Sequence, residues 1–400
     1  MKKVLLSILV GMITCCLLIP QAMAAGKPAK LYIGVLADMS GPYAPVVGSF
    51  RPGYIDAVRY VNEVMGGIKG VPVEALIRDN GGKVAVSLAQ YNELINRKPK
   101  PTFIDTAFSP VAAALRPRYV EDDMIGIHAG NILAVYPLAN SYGYYPMYDE
   151  WFGFSAKWFK SKWKKKRNPR LGILTWDTAY GRGILTDKFF AYLKEIGIDM
   201  AGEPQLFGIR DVDVTTQLLK LRAAKADVVF SCITAGGVLA VKKGMDEMGW
   251  KVPYHANGLD LGTLNLDPVT LDGIYAQRAF LSWNETDNPA IKFFLKQIKK
   301  NKRTKKDMSA FYLLAWVNVA IEAKVISEVV DKYGWDGLTT KNLKAAMNRV
   351  KDFAPWKGMM KITYTAKRPV PKHMRIYQAQ KGKLLPVSPW EEVPNFIPED

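Results

Sequence analysis

From residue 31 onward, short apolar runs alternate with segments of helical periodicity, a pattern that predicts βαβ units and a parallel sheet. Leu31–Leu36 (LYIGVL) predicts a first strand and Pro52–Val64 a helix, closed by Gly66-Gly67. Val73–Ile77 and Thr102–Asp105 predict strands two and three, with a helix over Val84–Ile95 between them. Pro110–Tyr119 predicts a helix with proline in its first turn and Ser109 as its cap. Ile125–His128 predicts a fourth strand. The rhythm then restarts. Helices are expected over Met147–Lys162, Gly183–Ile196, Thr215–Lys225 and Val238–Met248. Strands are expected over Arg170–Thr175, Val228–Cys232, Tyr254–Ala256 and Gly273–Leu281. Three helices that belong to neither series follow, over Pro289–Lys299, Ser309–Val330 and Leu343–Val350. Met359–Tyr364 and Met374–Ala379 predict two last strands, and the tail after Leu385 reads as irregular. The Tyr- and Gly-rich segment Tyr142–Tyr148 has the composition of a linker between the two series.

The N-terminus changes the picture. Lys2 and Lys3 precede the apolar run Val4–Ile19, and Ala22-Met23-Ala24 supplies a small-x-small cleavage pattern. These features predict a secretory signal peptide over residues 1–24, cleaved after Ala24, and a periplasmic mature protein. The run is shorter than the roughly 20 residues a membrane span needs. Cys15 and Cys16 lie within it, so the mature chain keeps Cys232 alone, and neither an internal disulfide nor a cysteine-based metal site is expected. The length suits two domains better than one, and 49% apolar residues can fill a core in each.

The formal charge of +18 admits nucleic acid, an anionic membrane surface or an anionic ligand as partners. An exported protein rarely meets nucleic acid, which is set aside. Much of the charge is local. Lys157, Lys160, Lys162, Lys164, Lys165, Lys166 and Arg167 crowd one segment, and Lys299 to Lys306 another. Both read as solvated helix ends and loops, with lysine stems covering Trp158 and Trp163.

The run GVLADMSGPYAPVVGSFRPGYIDAVRYVNEVMGGIKGVPVEALIRDN (residues 34–80) resembles the start of the type I periplasmic solute-binding proteins, the leucine/isoleucine/valine-binding relatives that serve ABC importers. The shared features are Ser40-Gly41-Pro42, Asn62, Gly66-Gly67-Ile68-Lys69-Gly70 and Asp79. WDTAYGRG (residues 176–183) is similar to the D-x-x-Y-G-x-G turn that opens the second lobe of that family. The resemblance implies two doubly wound α/β lobes joined by three crossovers. Lobe 1 is expected over 31–143 and 281–369, and lobe 2 over 144–280 and 370–400. It also implies a monomer that takes up a small solute, a branched-chain amino acid or a related amide or carboxylate, and meets an importer permease in the membrane.

Ligands of open α/β sheets bind beyond the carboxyl ends of the strands, so each β→α turn is a candidate. These turns offer Tyr43 after strand one, Ser109 after strand three, and Ala129 and Asn131 after strand four. In the second series they offer Tyr180, Thr234 and Asp260. The resemblance places a ligand-binding serine at Ser109, a main-chain carbonyl at Ala129 and the family tyrosine at Tyr180. Amino-acid binders carry a threonine where Asn131 stands and an acidic residue near Asp260. Trp151 and Trp316 read as core, and His128 and His255 as structural. The chain has no G-x-S-x-G, G-x-x-x-x-G-K-[ST], H-E-x-x-H or G-x-G-x-x-G, so no catalytic residue, metal ligand or cofactor is expected. A sensory module presenting the same bound solute to a receptor is the alternative to an importer subunit.

Overall fold

The computed structural model describes residues 26–129, 135–136 and 139–398. The proposed signal peptide and Asn131 lie outside the described residues.

The first sheet is built from β1 (Leu31–Ala37), β2 (Val73–Asp79), β3 (Phe103–Thr106), β4 (Gly126–His128) and β5 (Ser141–Gly143). Its order is β2-β1-β3-β4-β5, and every pair is parallel. Helices cover both faces, which is why β1 reads as an unbroken apolar run rather than an alternating one. Ile33 and Val35 pack with Phe50 and Tyr54 on one side. Leu36 and Ile104 pack with Tyr91, Leu94 and Leu115 on the other. The helices are α1 (Ala44–Val47), α2 (Phe50–Glu63), α3 (Val84–Ile95) and α4 (Ser109–Glu121).

The second sheet follows α5 (Tyr148–Lys162). Its strands are β6 (Arg170–Trp176), β7 (Asp199–Met200), β8 (Gln205–Phe207), β9 (Val228–Thr234), β10 (Tyr254–Gly258) and β11 (Tyr275–Arg278). They are joined by α6 (Asp187–Glu195), α7 (Thr215–Ala223), α8 (Gly236–Glu247) and α9 (Leu261–Leu264). β6 through β11 pair in parallel. Leu171, Ile173 and Phe230 face α5 and α6 through Phe152, Phe159 and Phe189. Leu174, Val229 and Ile233 face α7 and α8 through Leu218, Leu221, Val238 and Val241.

The chain then returns to the first sheet. α10 (Pro289–Lys300), α11 (Ala310–Tyr333) and α12 (Thr340–Met347) follow β11. α11 carries Ser309 as its N-cap, whose Oγ accepts from the Phe311 N–H at 3.1 Å. It packs along α2, more than 200 residues earlier. Asn318 Nδ2 donates to the Tyr54 hydroxyl at 3.0 Å, and Arg303 beside α11 grips Asp56 through two bonds of 2.7 and 2.8 Å. The helices that fit neither series in the sequence therefore complete the layer over β1 and β2. The last strands, β12 (His373–Gln380), β13 (Lys383–Pro386) and β14 (Glu391–Glu392), rejoin the second sheet, with β12 antiparallel to β11. The chain thus passes between sheets three times, after β5, after β11 and before β12.

Several local expectations change. Tyr142–Tyr148 does connect the two sheets, but its first residues belong to β5 and Tyr142, Tyr144, Tyr145 and Tyr148 are buried. Met359–Tyr364 forms isolated bridges, Phe280 with Met360 and Phe353 with Ile362, rather than a strand. Gly183–Ile196 splits into a short 3₁₀ turn (Gly181–Ile184) and α6, with Thr186 capping α6 by accepting from the Phe189 N–H. The tail after Leu385 is ordered by pairing of β13 and β14 with β12. The lysine cluster covers aromatic faces as expected: Lys162 lies over Trp158, and Lys165 and Arg167 over Trp163.

Candidate ligand-binding site

The carboxyl ends of the two sheets face each other across a narrow cavity of about 70 Å³. Tyr43, Ser109 and Ala129 reach it from the first sheet, and Tyr180, Thr234 and Asp260 from the second. Six of the seven residues singled out in the sequence are therefore brought to one place.

Each is positioned by its turn. Asp38, at the end of β1, accepts from the Gly41 and Tyr43 N–H groups at 2.5 and 2.9 Å, folding the loop so that the Tyr43 ring enters the cavity. Burial pushes the Tyr43 hydroxyl up to about 12, so it stays protonated. In the β6 turn, a Cβ at Gly181 would collide with the Trp176 backbone. Glycine there lets the chain fold back tightly and lifts Tyr180 against Tyr43 and Tyr148, at ring distances of 6.4 and 5.1 Å. The Tyr180 hydroxyl donates to Asn257 Oδ1 at 3.0 Å. Ala235, after Thr234, adopts φ 46°, a left-handed conformation rare outside glycine, at the start of α8.

Ser109 corrects one expectation. It is the first residue of α4, not its cap; Phe108 stands at the cap position and provides no side-chain bond. The Ser109 hydroxyl instead lies 3.1 Å from the Tyr148 hydroxyl on α5, a bond across the two sheets. Asp260 also bridges. Its Oδ1 accepts from Thr263 N–H at 2.8 Å, capping α9, and its Oδ2 accepts from Ala310 N–H at 3.0 Å, at the start of α11. Both oxygens of this carboxylate are held by helix N-termini from opposite sheets.

Trp151 is not plain core: it lines the cavity, together with Tyr145, Tyr148, Phe280 and Phe311. Sequence reasoning also passed over Gln277 and Arg278, the last residues of β11. Both line the cavity, at 1% and 4% exposure. The available signal was a Gln-Arg pair at the end of a predicted strand. Burial holds the Arg278 guanidinium below its ordinary pKa, although nearby Asp260 opposes this. Arginine remains a cation even so. Cys232 donates its S–H to the Tyr180 carbonyl, and burial pushes its thiol up.

His255 is buried among Phe230, Trp158 and Tyr275, and burial pulls it down to about 3, which leaves it a neutral ring. Among the described residues, no cluster of three or more His, Cys, Asp or Glu is arranged to hold a metal ion. No helix among them is long and apolar enough to cross a membrane.

Two open α/β sheets with an interposed cavity and three strand-to-strand passages define a two-lobed binding-protein fold. The chain belongs to the periplasmic binding protein family, whose sequence profile matches residues 30–383. Solved structures of the same fold include a branched-chain amino acid ABC transporter protein from Thermus thermophilus with bound valine. It is 17% identical, with a TM-score of 0.81, and the match covers 91% of this chain and 96% of that one. A fatty acid ABC transporter substrate-binding protein from Thermomonospora curvata is 20% identical, with a TM-score of 0.80 and coverage of 93% and 96%. An ABC transporter solute-binding protein from R. palustris in complex with 4-hydroxybenzoate is also 20% identical, with a TM-score of 0.76 and coverage of 92% and 98%. No curated protein sequence matches this chain.

Proposed function

We propose that this protein is an extracytoplasmic solute-binding subunit, working as a monomer, which captures a small molecule between its lobes and presents it to an ABC importer permease. The solute is a branched-chain amino acid or a related amide or carboxylate. The lobes are 31–143 with 281–369 and 144–280 with 370–400, and Tyr43, Ser109, Ala129, Asn131, Tyr180, Thr234 and Asp260 contribute to the site. The observation that carries this reading is the single cavity walled by strand ends of both sheets and crossed by side-chain bonds between them. Such a wall exists only when the lobes are together, so solute that touches both favours the closed state over the open one. The cleavage pattern at Ala22-Met23-Ala24 supports export.

The test starts with mass spectrometry of solute that co-purifies with the natively exported protein. Small-angle scattering then compares stripped and reloaded protein. The expected outcome is a smaller radius of gyration and a raised melting temperature on reloading. Tight binding with no compaction would rule out closure.

A further inference from the structure

We propose that the solute is an aromatic monocarboxylate lacking an ammonium group, and that Arg278 binds its carboxylate. This rests on the binding-protein reading above and narrows it.

The first argument comes from a comparison among the arginines. Arg303 is held by Asp56 through two bonds, Arg368 by Glu150 through two bonds, and Arg375 is paired with Glu285. Arg278 is more deeply buried than these and has no carboxylate partner among the described residues. Its Nη1 donates to the Leu259 carbonyl at 3.1 Å, its Nε has no acceptor, and the guanidinium lies 4.4 Å from the centre of the Phe280 ring. A buried cation is costly unless it is paired. With Nη1 engaged and Nε enclosed by protein, Nη2 is left to donate to a carboxylate oxygen. Gln277, at 1% exposure, has no partner for either side-chain atom among the described residues.

The second argument concerns what is missing for an amino acid. Asp260 is the only carboxylate lining the cavity among the described residues. Its two oxygens already accept from Thr263 and Ala310 N–H groups at two helix N-termini, which offset its charge. An ammonium would compete with both caps and stand near Arg278. The rest of the lining sets the shape: Tyr43, Phe108, Tyr145, Trp151, Tyr180 and Phe280 surround the space with ring faces and edges. A flat apolar ring fits such a wall by edge and offset stacking.

The experiment is isothermal titration calorimetry on the full mature protein, stripped of bound solute. The probes are benzoate, phenylacetate, benzamide and L-phenylalanine. At least one carboxylate is expected to bind at least about 100-fold more tightly than benzamide and L-phenylalanine. Arg278→Gln is expected to remove that preference, and Arg278→Lys to restore part of it by keeping the charge. Should Arg278→Gln fail to fold by circular dichroism, the wild-type comparison of benzoate with benzamide still decides. Equal affinity for benzoate and benzamide, tighter binding of L-phenylalanine, or no binding of either carboxylate overturns the inference. In each of these cases, compaction around the co-purified solute would still uphold the binding-protein reading.

Discussion

At the scale of single residues, Asp260 shows how position reassigns chemistry. Its place after β10 suggested a partner for a ligand ammonium, yet its two oxygens accept from helix N-termini on opposite lobes. Asp260→Asn keeps one acceptor oxygen and loses the other. Loss of a bond to a helix N-terminus costs about 1 kcal/mol, and the bond from Ala310 N–H at the start of α11 exists only when the lobes meet. The variant is therefore expected to populate the open form more, with binding weakened about fivefold and stripped protein of larger radius in solution scattering. Affinity equal to wild type would mean that the bond to Ala310 does not hold the lobes together. Tyr180 was legible in sequence because Gly181 next to it marks a turn that no larger residue permits. Arg278 was not, because a strand-end arginine looks the same in sequence whether it faces solvent, a carboxylate or a cavity.

At the scale of elements, the first and third chain passages between sheets are fastened by polar contacts. Arg368, just before β12, donates to both Glu150 oxygens at 2.8 and 2.7 Å. Glu150 in the first turn of α5 also accepts from the Met147 and Phe396 N–H groups. This one carboxylate ties the first passage, the third passage and the C-terminal tail together. Removing one partner of a buried ion pair costs about 3–5 kcal/mol. Arg368→Ala is expected to lower stability by about 3 kcal/mol in chemical denaturation; a loss below about 1 kcal/mol would show that water replaces the arginine. The elements themselves were mostly readable. β1, β6 and β9 are apolar runs because helices cover both their faces, and α10 and α11 carry caps at Asn288 and Ser309. β5 was missed because three residues carry too little periodicity, and β14 because two residues carry none.

At the scale of the whole molecule, stability depends on charges that only the assembled lobe buries. Asp105 on β3 and Glu322 on α11 are buried neighbours, and Asp105 also accepts from Tyr54 and Asn318. Burial first, and their mutual repulsion second, push the Glu322 carboxyl well above the ordinary range. The folded state thus binds a proton that the unfolded chain releases near 4.5. That contribution is fully present below the unfolded value and is lost as pH rises toward the raised folded one. Asp149, raised to about 7 mainly by burial, acts with the same sign. His255, depressed to about 3, acts with the opposite sign, its contribution falling away as pH drops below 6.5. Glu322→Gln isolates the pair. Urea unfolding between pH 5 and 8 should show the wild-type curve declining more steeply than the variant, by up to about 1.4 kcal/mol per pH unit. Parallel curves would mean that no proton is held there. The sequence by itself determined the alternation of strands and helices, and the turns at the strand ends where a ligand can sit. These follow from local periodicity and backbone sterics. Only the tertiary structure decided that α10 to α12 return to the first sheet, that Asp260 is spent on two helix N-termini, and that Arg278 and Gln277 face the cavity. Those facts depend on which distant segments meet, and a one-dimensional pattern of apolar and polar positions does not encode a polar side chain's partner.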